Sequence, residues 1–391
     1  MPRRRQVHSG TWCRSSGCWA GEAASLPLRK VAAAQRLKYI RARRNDWRST
    51  LNHKSHAPWL QLAAVSIALV SCGGGAASDA ARATDGEVFA LADPGDGAAT
   101  HQAYLAKSSV TGLAYRTLWK TVEPSDGSYD WSGVDGALSS AQAANKKLTI
   151  HVGVSGGAWP GWLTAAGAQT YSGATPVGTV TDPIPWDAIF LARYARFVKA
   201  LADHIQANQQ TGFVRSVSVG APVAEMSLVS CSASMLSSAI AYDRTQYLNA
   251  WAGAASSVAT AFPAAAVFVS APVSTICRPD SDGAAFFSDL MTPLTQQHAK
   301  LSVFAADLNA AGSQRLNQVT GSLRALPIGL QTIGSATNDP SNRMAGSLSS
   351  AVCAGRSAGA RYFEIYKADL DSSDAAIVAA IQQARGERSC P

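Results

Sequence analysis

The residues of this chain that can do chemistry are carboxylates and tryptophans placed at the ends of β-rich segments. Glu364 stands alone among aromatic and aliphatic residues, and Asp307 ends another β-rich segment. A buried carboxylate is costly unless it is paired or used, and carboxylates are common general acids, bases and nucleophiles. Indole rings have flat apolar faces and one polar edge, which suits stacking on sugar rings. The tryptophans placed for such contacts are Trp119, Trp159, Trp162 and Trp186.

The elements that must position these residues follow a simple alternation from about residue 86 onward. The predicted strands are 87–91, 111–116, 147–154, 213–220, 266–271, 301–306, 327–332 and 361–366. The predicted helices between and after them are 133–145, 187–208, 242–261, 283–297, 313–324, 343–358 and 373–385. This alternation predicts an α/β fold, a single (β/α)8 TIM barrel over residues 86–391, with its site at the carboxyl ends of the strands. An open doubly wound sheet is the alternative.

Residues 112–131 carry the most specific motif of the chain. They contain a strand, Arg116, Trp119, the pair Glu123-Pro and the segment Gly127-Ser-Tyr-Asp. This pattern resembles the second strand and loop of the retaining (β/α)8 glycoside hydrolases of the cellulase and β-galactosidase-like clan. The segments Ala158-Trp-Pro-Gly-Trp-Leu163 and Pro185-Trp-Asp187 are similar to the same clan. The resemblance is specific over residues 110–200, and beyond them it rests on strand order.

The resemblance implies a pair of catalytic carboxylates that cleave an O-glycosidic bond. Glu225, after the fourth predicted strand, matches the clan's acid/base residue, although Ala224 replaces the asparagine that precedes it there. The position of the clan's nucleophile holds Gln331, an amide that cannot attack as a carboxylate does. Glu364 on the eighth predicted strand is therefore the second carboxylate that we predict, and Asp307 is the alternative.

Other residues are expected to contact a carbohydrate substrate. Arg116 resembles the clan's strand-two arginine, which holds a catalytic carboxylate, whereas Glu123 is expected to hold its loop. His151, in the third predicted strand, is expected to form a hydrogen bond within the site. The predicted carbohydrate contacts are Arg116, Trp119, His151, Trp159, Trp162, Trp186, Asp307, Gln331 and Tyr366. The sequence contains no motif for a metal or a nucleotide cofactor, so no cofactor is expected.

Three functions are compatible with these residues. The first is a glycoside hydrolase, either retaining or inverting. The second is a carbohydrate-binding barrel without chemistry, which Gln331 favours. The third is a serine esterase, because Gly153-Val-Ser-Gly-Gly157 matches the Gly-x-Ser-x-Gly nucleophile motif. That motif needs a helix directly after it, and Pro160 disfavours a helix here.

The amino-terminal region resembles a bacterial lipoprotein signal. Residues 53–75 have a weakly basic start, a short apolar core and small residues at the end, which is typical of a secretory signal. The segment Leu69-Val-Ser-Cys72 resembles a lipobox, whose cysteine is acylated and becomes residue one of the mature protein. We therefore expect residues 1–71 to be removed and residues 72–85 to be a flexible tether.

This interpretation predicts a bacterial cell-envelope protein that is anchored to the membrane by a lipid on Cys72, or secreted. Gly73 after the lipid cysteine resembles the pattern that is sent to the outer membrane when the envelope has two membranes. The length of residues 1–50 exceeds an ordinary signal of about 15–30 residues. One hypothesis is that translation begins near Leu51 and that these residues are not translated.

Composition and charge narrow the classes of function. The chain is 47% hydrophobic and 15% charged, which excludes a disordered protein. Its formal net charge is +8, but 13 of the 34 Lys and Arg residues and two of the 26 acids lie in residues 1–71. The remaining chain thus has 21 bases and 24 acids, a net charge of −3, so we expect no nucleic-acid partner. We expect a monomer.

Cysteine usage agrees with export to an oxidising compartment. After Cys72, the chain keeps four cysteines, which allow three pairings. The predicted barrel favours one of them, because Cys231 and Cys277 follow adjacent strands on one rim, and Cys353 and Cys390 belong to neighbouring outer helices. We predict disulfides Cys231–Cys277 and Cys353–Cys390.

Overall fold

The computed structural model describes residues 86–154, 156–175, 178–220, 243–271 and 283–391. Eight parallel strands close into a barrel in the order β1-β10-β9-β8-β7-β6-β3-β2. These strands are β1 Glu87–Ala92, β2 Gly112–Leu118, β3 Lys147–Gly153, β6 Val214–Ser218, β7 Ala266–Ser270, β8 Leu301–Leu308, β9 Ile328–Thr332 and β10 Tyr362–Tyr366. The predicted (β/α)8 barrel is confirmed, and the doubly wound sheet is excluded because the sheet closes.

Helices connect the strands around the outside. Those of eight or more residues are α1 Ala98–Leu105, α3 Ser132–Ala143, α5 Ala188–Ala207, α6 Arg244–Ala261, α7 Gly283–Gln297, α9 Leu348–Ser357 and α11 Ala375–Arg385. Four-residue helices are α2 Trp119–Val122, α4 Trp162–Ala165, α8 Gln314–Asn317 and α10 Lys367–Leu370. Single 3₁₀ turns occupy Thr211–Phe213 and Gly321–Ala325. Within the described residues, no helix is long and apolar enough to cross a membrane.

The sequence pattern explains why these elements pack as they do. Strand β7 is buried along its whole length, as expected when a strand is covered on both faces. Helix α5 buries one face at 3.6-residue periodicity and begins at Asp187, whose carboxylate accepts a hydrogen bond from Phe190 N at 2.8 Å. The buried face of α5 consists of Phe190, Tyr194, Phe197, Val198, Leu201, Ala202 and Ile205.

One local prediction differs from the structure, and two elements of the structure were not predicted. The helix predicted over 313–324 is wrong, because Gly321 adopts φ +60° and separates two short turns. Helix α1 was not predicted; it carries too little amphipathic pattern to be recognised. An antiparallel hairpin, β4 Thr170–Thr175 and β5 Gly178–Pro183, lies in the connection from β3 to α5, where a Gly- and Thr-rich sequence gave no strand signal.

The two ends of the described barrel are tied together. The predicted disulfide Cys353–Cys390 is confirmed, with the two Cα atoms 5.5 Å apart, and it links α9 to the segment after α11. Gly86 and Arg385 exchange backbone and side-chain hydrogen bonds, so the first strand begins against the last helix. Cys231 and Cys277, together with the signal, Cys72 and the tether, lie outside the described residues.

Candidate active site

Among the described residues, the barrel interior holds one buried carboxylate, Glu364, in the middle of β10. Its Oε1 atom lies 2.7 Å from Nε2 of His151 and 2.8 Å from the hydroxyl of Tyr362. Glu364 and His151 have no exposed surface. Because β1 and β2 separate β10 from β3 in the barrel, the bond between these two side chains crosses the interior.

A chain of hydroxyl groups leads to the same oxygen. The Tyr362 hydroxyl lies 2.8 Å from Oγ1 of Thr149, which lies 2.7 Å from Oγ of Ser216. A carboxylate oxygen only accepts hydrogen bonds. The Tyr362 hydroxyl therefore donates to Glu364 and accepts from Thr149, which in turn accepts from Ser216. Each hydroxyl group thus donates its single proton to the next acceptor on the way to Glu364.

Aromatic rings pack against the ring of Tyr362 in the barrel interior. The ring of Tyr362 lies 4.5 Å from that of Phe89 and 4.9 Å from that of Phe268. Burial raises the pKa of the Tyr362 hydroxyl well above its ordinary value, and the negative charge of Glu364 raises it further. Tyr362 therefore remains a neutral donor over the physiological range.

The second oxygen of the Glu364 carboxylate, Oε2, lacks the donors that Oε1 has. Oε2 is buried and has no hydrogen-bond partner among the described residues, and the same holds for Oε1 of Gln331 and Nδ1 of His151. Gln331 on β9 pairs in register with Glu364 on β10, so both side chains leave the sheet on its inner face. Buried polar atoms are rarely left without partners. These atoms are therefore candidates for contact with a ligand.

Ion pairs border this interior at the carboxyl ends of β1, β2 and β10. Arg116 is 2.5 Å from Asp93, and among the described residues it pairs with no glutamate. Lys367 binds Asp93 at 3.0 Å and Asp96 at 2.6 Å. Burial lowers the pKa of Lys367, but the bonds to Asp96 and Asp93 outweigh it, and the net pKa is raised. The cations at this rim are thus neutralised by aspartates.

The motif that carries the resemblance has a structural role in this fold. Glu123 is fully buried, accepts from Trp119 Nε1 and Gly127 N at 2.8 Å each, and pairs with Arg196 on α5. This confirms that Glu123 holds its loop. Trp119 has no exposed surface and packs edge-on against Tyr194 and other aromatic rings. The indole of Trp119 thus packs within the aromatic cluster beside α5, and the sugar contact predicted for it stays a prediction.

The remaining predicted aromatic contacts are partly exposed. Trp159 donates from Nε1 to Thr181 O of the β4–β5 hairpin at 2.9 Å, and Trp162 donates to Glu123 O at 2.9 Å. Trp186 packs edge-on against Tyr247 with centroids 6.1 Å apart. Tyr366 ends β10, two residues beyond Glu364 and nearer the mouth. These rings follow β3 or end β10, at the carboxyl side of the barrel.

Of the other two predicted carboxylates, only Asp307 is among the described residues, and it binds elsewhere than Glu364. Asp307 accepts hydrogen bonds from Ser313 Oγ and from Arg315 N, the latter at 3.0 Å, so it shapes the turn into α8. Glu225 lies outside the described residues, as does Ser155 of the esterase motif. No group of three metal-ligating side chains occurs in the described part of the chain.

Sequence reasoning missed the hydroxyl chain itself. Thr149 and His151 on β3, and Tyr362 and Glu364 on β10, are polar residues spaced by two. On a strand covered by helices, such spacing indicates side chains that face the barrel interior. The sequence therefore indicates that these side chains point inward, but it does not show which two strands they connect.

Comparison with solved structures supports the fold. The catalytic domain of β-amylase from Paenibacillus polymyxa is similar with a TM-score of 0.51 at 10% identity, covering 79% of this chain and 99% of that chain. An intracellular xylanase from Thermoanaerobacterium saccharolyticum has a TM-score of 0.46 at 13% identity, covering 75% of this chain and 90% of that chain. Xylanase 10B from Thermotoga petrophila has a TM-score of 0.43 at 11% identity, covering 76% of this chain and 86% of that chain. The chain matches no family model and no curated protein. At this identity, the likeness to the amylase domain establishes the barrel alone.

Proposed function

We propose that this protein binds a carbohydrate at the carboxyl end of its barrel and hydrolyses an O-glycosidic bond there. The observation that carries the proposal is Glu364, a carboxylate inside the barrel whose Oε1 is held by two donors while Oε2 has no described partner. A buried charge in this arrangement is costly to a fold that makes no use of it. The same fold carries the catalytic domain of an amylase.

The proposed chemistry uses Glu225 and Glu364. Glu225 in its protonated form donates its proton to the glycosidic oxygen while the bond from that oxygen to the anomeric carbon breaks. Glu364 acts through Oε2 in one of two ways. It attacks the anomeric carbon, and water then cleaves the glycosyl ester while Glu225 takes the proton of that water, or it takes a proton from a water that attacks the carbon directly. A separation between the two carboxyl groups of about 5–5.5 Å would give retention, and one of about 6.5–9.5 Å would give inversion.

The chain's own residues prepare Glu364 for this role. His151 and Tyr362 bind Oε1, which fixes the carboxylate plane and leaves one oxygen to react. Trp159, Trp162 and Trp186 are partly exposed at the carboxyl side of the barrel, where indole faces can stack on pyranose rings. Arg116 and Tyr366 complete the proposed contacts at the mouth.

A carbohydrate-binding barrel without hydrolysis is the second candidate. Gln331, rather than a carboxylate, occupies the position that resembles the clan's nucleophile, and it pairs in register with Glu364. In this case the interior recognises a sugar and breaks no bond.

We further propose that the mature protein is an envelope lipoprotein that begins at the acylated Cys72. The support is the lipobox-like segment and the glycine run after it. Metabolic labelling with an alkyne fatty acid tests this anchor. Label on the wild type and none on Cys72→Ser are expected, and equal labelling of the two would contradict it.

The activity proposal is tested by a substrate screen of the full chain on aryl glycosides and polysaccharides. We compare the wild type with Glu225→Gln, Glu364→Gln and, as a matched control, the exposed Glu387→Gln. Turnover by the wild type and the control, with a loss of about 100-fold or more in each of the other two variants, is expected. Full turnover by Glu364→Gln would contradict the role of Glu364. Saturable sugar binding by calorimetry without turnover would select the binding barrel.

A further inference from the structure

Two of the unpaired polar atoms in the barrel interior lie side by side. Oε2 of Glu364 and Oε1 of Gln331 are acceptors, both are buried, and neither has a described partner. The two residues are register partners on adjacent strands, so their side chains leave the sheet side by side. A ligand that satisfies both must bring hydrogen-bond donors.

His151 adds a third acceptor. Its Nε2 donates to Glu364, and its Nδ1 is buried without a described partner. An imidazolium would place a second N–H in the interior with no acceptor, whereas the neutral ring leaves only a lone pair at Nδ1. The hydrogen-bond geometry therefore fits the tautomer that carries its proton on Nε2 and a lone pair on Nδ1.

The described cations at the mouth of the barrel do not pair with Glu364. Arg116 is bound to Asp93, and Lys367 is bound to Asp93 and Asp96. The Tyr362 hydroxyl donates only to Oε1. Among the described residues, the carboxylate of Glu364 thus faces the interior beside two further unpaired acceptors and without a cation, and the donors near them, the amide Nε2 of Gln331 and the hydroxyl of Ser270, carry no charge.

From this arrangement we propose that the site is selective for a sugar that carries a protonated amino group, that is, an amino sugar. An ammonium group has three N–H donors and a positive charge, so it can bind Glu364 and Gln331 at once. A hydroxyl group has one donor and no charge, and an acetamido group has one donor, no charge and a larger volume. The inference rests on the proposed carbohydrate site and holds whether or not a bond is cleaved there.

The test uses matched ligands that differ at one substituent. Binding of the full chain to glucosamine trisaccharide, cellotriose and N-acetylglucosamine trisaccharide is measured by calorimetry at pH 6.5. Galactosamine and galactose serve as a second pair, because the epimer is unknown. We expect the amine in at least one pair to bind at least about tenfold more tightly than its hydroxyl counterpart. Equal affinities would overturn the inference and leave the proposed function standing, and no binding of any sugar would overturn both.

Variants tie the preference to the named atoms. Glu364→Gln is isosteric and should reduce the preference to within about twofold, while the exposed Glu387→Gln should retain it in full. Should Glu364→Gln fail to fold, Gln331→Met removes one acceptor without a charge and should weaken amine binding more than hydroxyl binding. A preference that survives in Glu364→Gln, or in Gln331→Met when that variant is needed, would overturn the assignment.

Discussion

At the scale of single residues, the proposed site is built around Glu364 and the donors that bind it. The carboxylate is tolerated in an aromatic interior because Tyr362 and His151 bind one oxygen, and Thr149 and Ser216 extend the chain of donors. Sequence alone predicted that Glu364 is either paired or functional, but its partner could not be identified, since His151 lies 213 residues away in the chain.

Tyr362→Phe should lower stability, because it removes the donor to a buried carboxylate and leaves Thr149 without its acceptor. We expect a loss of about 1–3 kcal/mol in the free energy of unfolding. Tyr104→Phe is the matched control, since its hydroxyl binds the exposed Asp371, and its loss should be smaller. Urea denaturation measures both variants. Equal losses would contradict the prediction, because the buried hydroxyl of Tyr362 would then stabilise the fold no more than the exposed hydroxyl of Tyr104.

The buried tyrosines also predict that the free energy of unfolding falls at alkaline pH. Burial raises the pKa of Tyr194 and Tyr362 above their ordinary value of 10.0. Above about pH 10 the unfolded chain therefore loses these protons while the folded chain keeps them, and the free energy of unfolding falls as pH rises. The fall is about 1.4 kcal/mol per pH unit for each tyrosine. Urea denaturation at pH 8 to 11 should show a shallower fall in Tyr362→Phe, and an identical fall would contradict the assignment.

At the scale of elements, the barrel could be predicted and its insertions could not. Eight short apolar segments separated by helical ones leave few alternatives, and all eight strands were located. The β4–β5 hairpin was missed because Thr, Gly and Pro are also common in loops. The packing of Trp119 could not be predicted either, since a tryptophan that follows a strand can line the mouth or pack under the next helix.

Helix α5 offers a test of an element boundary that the sequence did predict. Asp187→Ala removes the side chain that accepts from Phe190 N at the helix start, and we expect a loss of about 1 kcal/mol in stability. Asp203→Ala on the same helix breaks only the exposed pair with Lys199, and its loss should be below about 0.5 kcal/mol. The reverse order of the two losses, measured by urea denaturation, would contradict the assigned helix start.

Asp369 on α10 holds the connection after β9 near the mouth of the barrel. Its buried carboxylate accepts from Ser335 Oγ, Ala336 N and Thr337 N at 2.7–3.0 Å. Asp369→Ala leaves these donors unpaired, so we expect a loss of about 2–4 kcal/mol. Asp374→Ala, which removes the exposed cap of α11, should lose only about 1 kcal/mol. Denaturant midpoints measure the difference, and similar values for the two variants would contradict it.

At the scale of the whole molecule, polar contacts run through the barrel from one end to the other. Arg215 binds Glu87 across the end where the strands begin, at 2.8 Å, and the donors to Glu364 occupy the middle. The ion pairs of Arg116 and Lys367 lie at the mouth. Non-neighbouring strands are thus joined inside the barrel as well as by helices outside it.

The disulfide Cys353–Cys390 should stabilise the whole barrel. It joins residues 37 apart in sequence, and a loop of that length corresponds to about 4 kcal/mol in the chain-entropy description. The double variant Cys353→Ser with Cys390→Ser should unfold at a clearly lower urea concentration than the wild type. Reducing agent should shift the wild type toward the variant. Identical midpoints for oxidised wild type and variant would contradict the contribution.

An NMR titration shows directly whether a sugar reaches the Glu364–His151 pair. Histidine ¹⁵N NMR of the full chain, with signals assigned by His151→Gln and His298→Gln, follows a titration with an oligosaccharide that binds by calorimetry. The account predicts a saturable change at His151 with the calorimetric affinity, and no change at His298, which binds Ser256 on an outer helix. Saturable binding that leaves His151 unchanged would place the carbohydrate elsewhere and contradict the account.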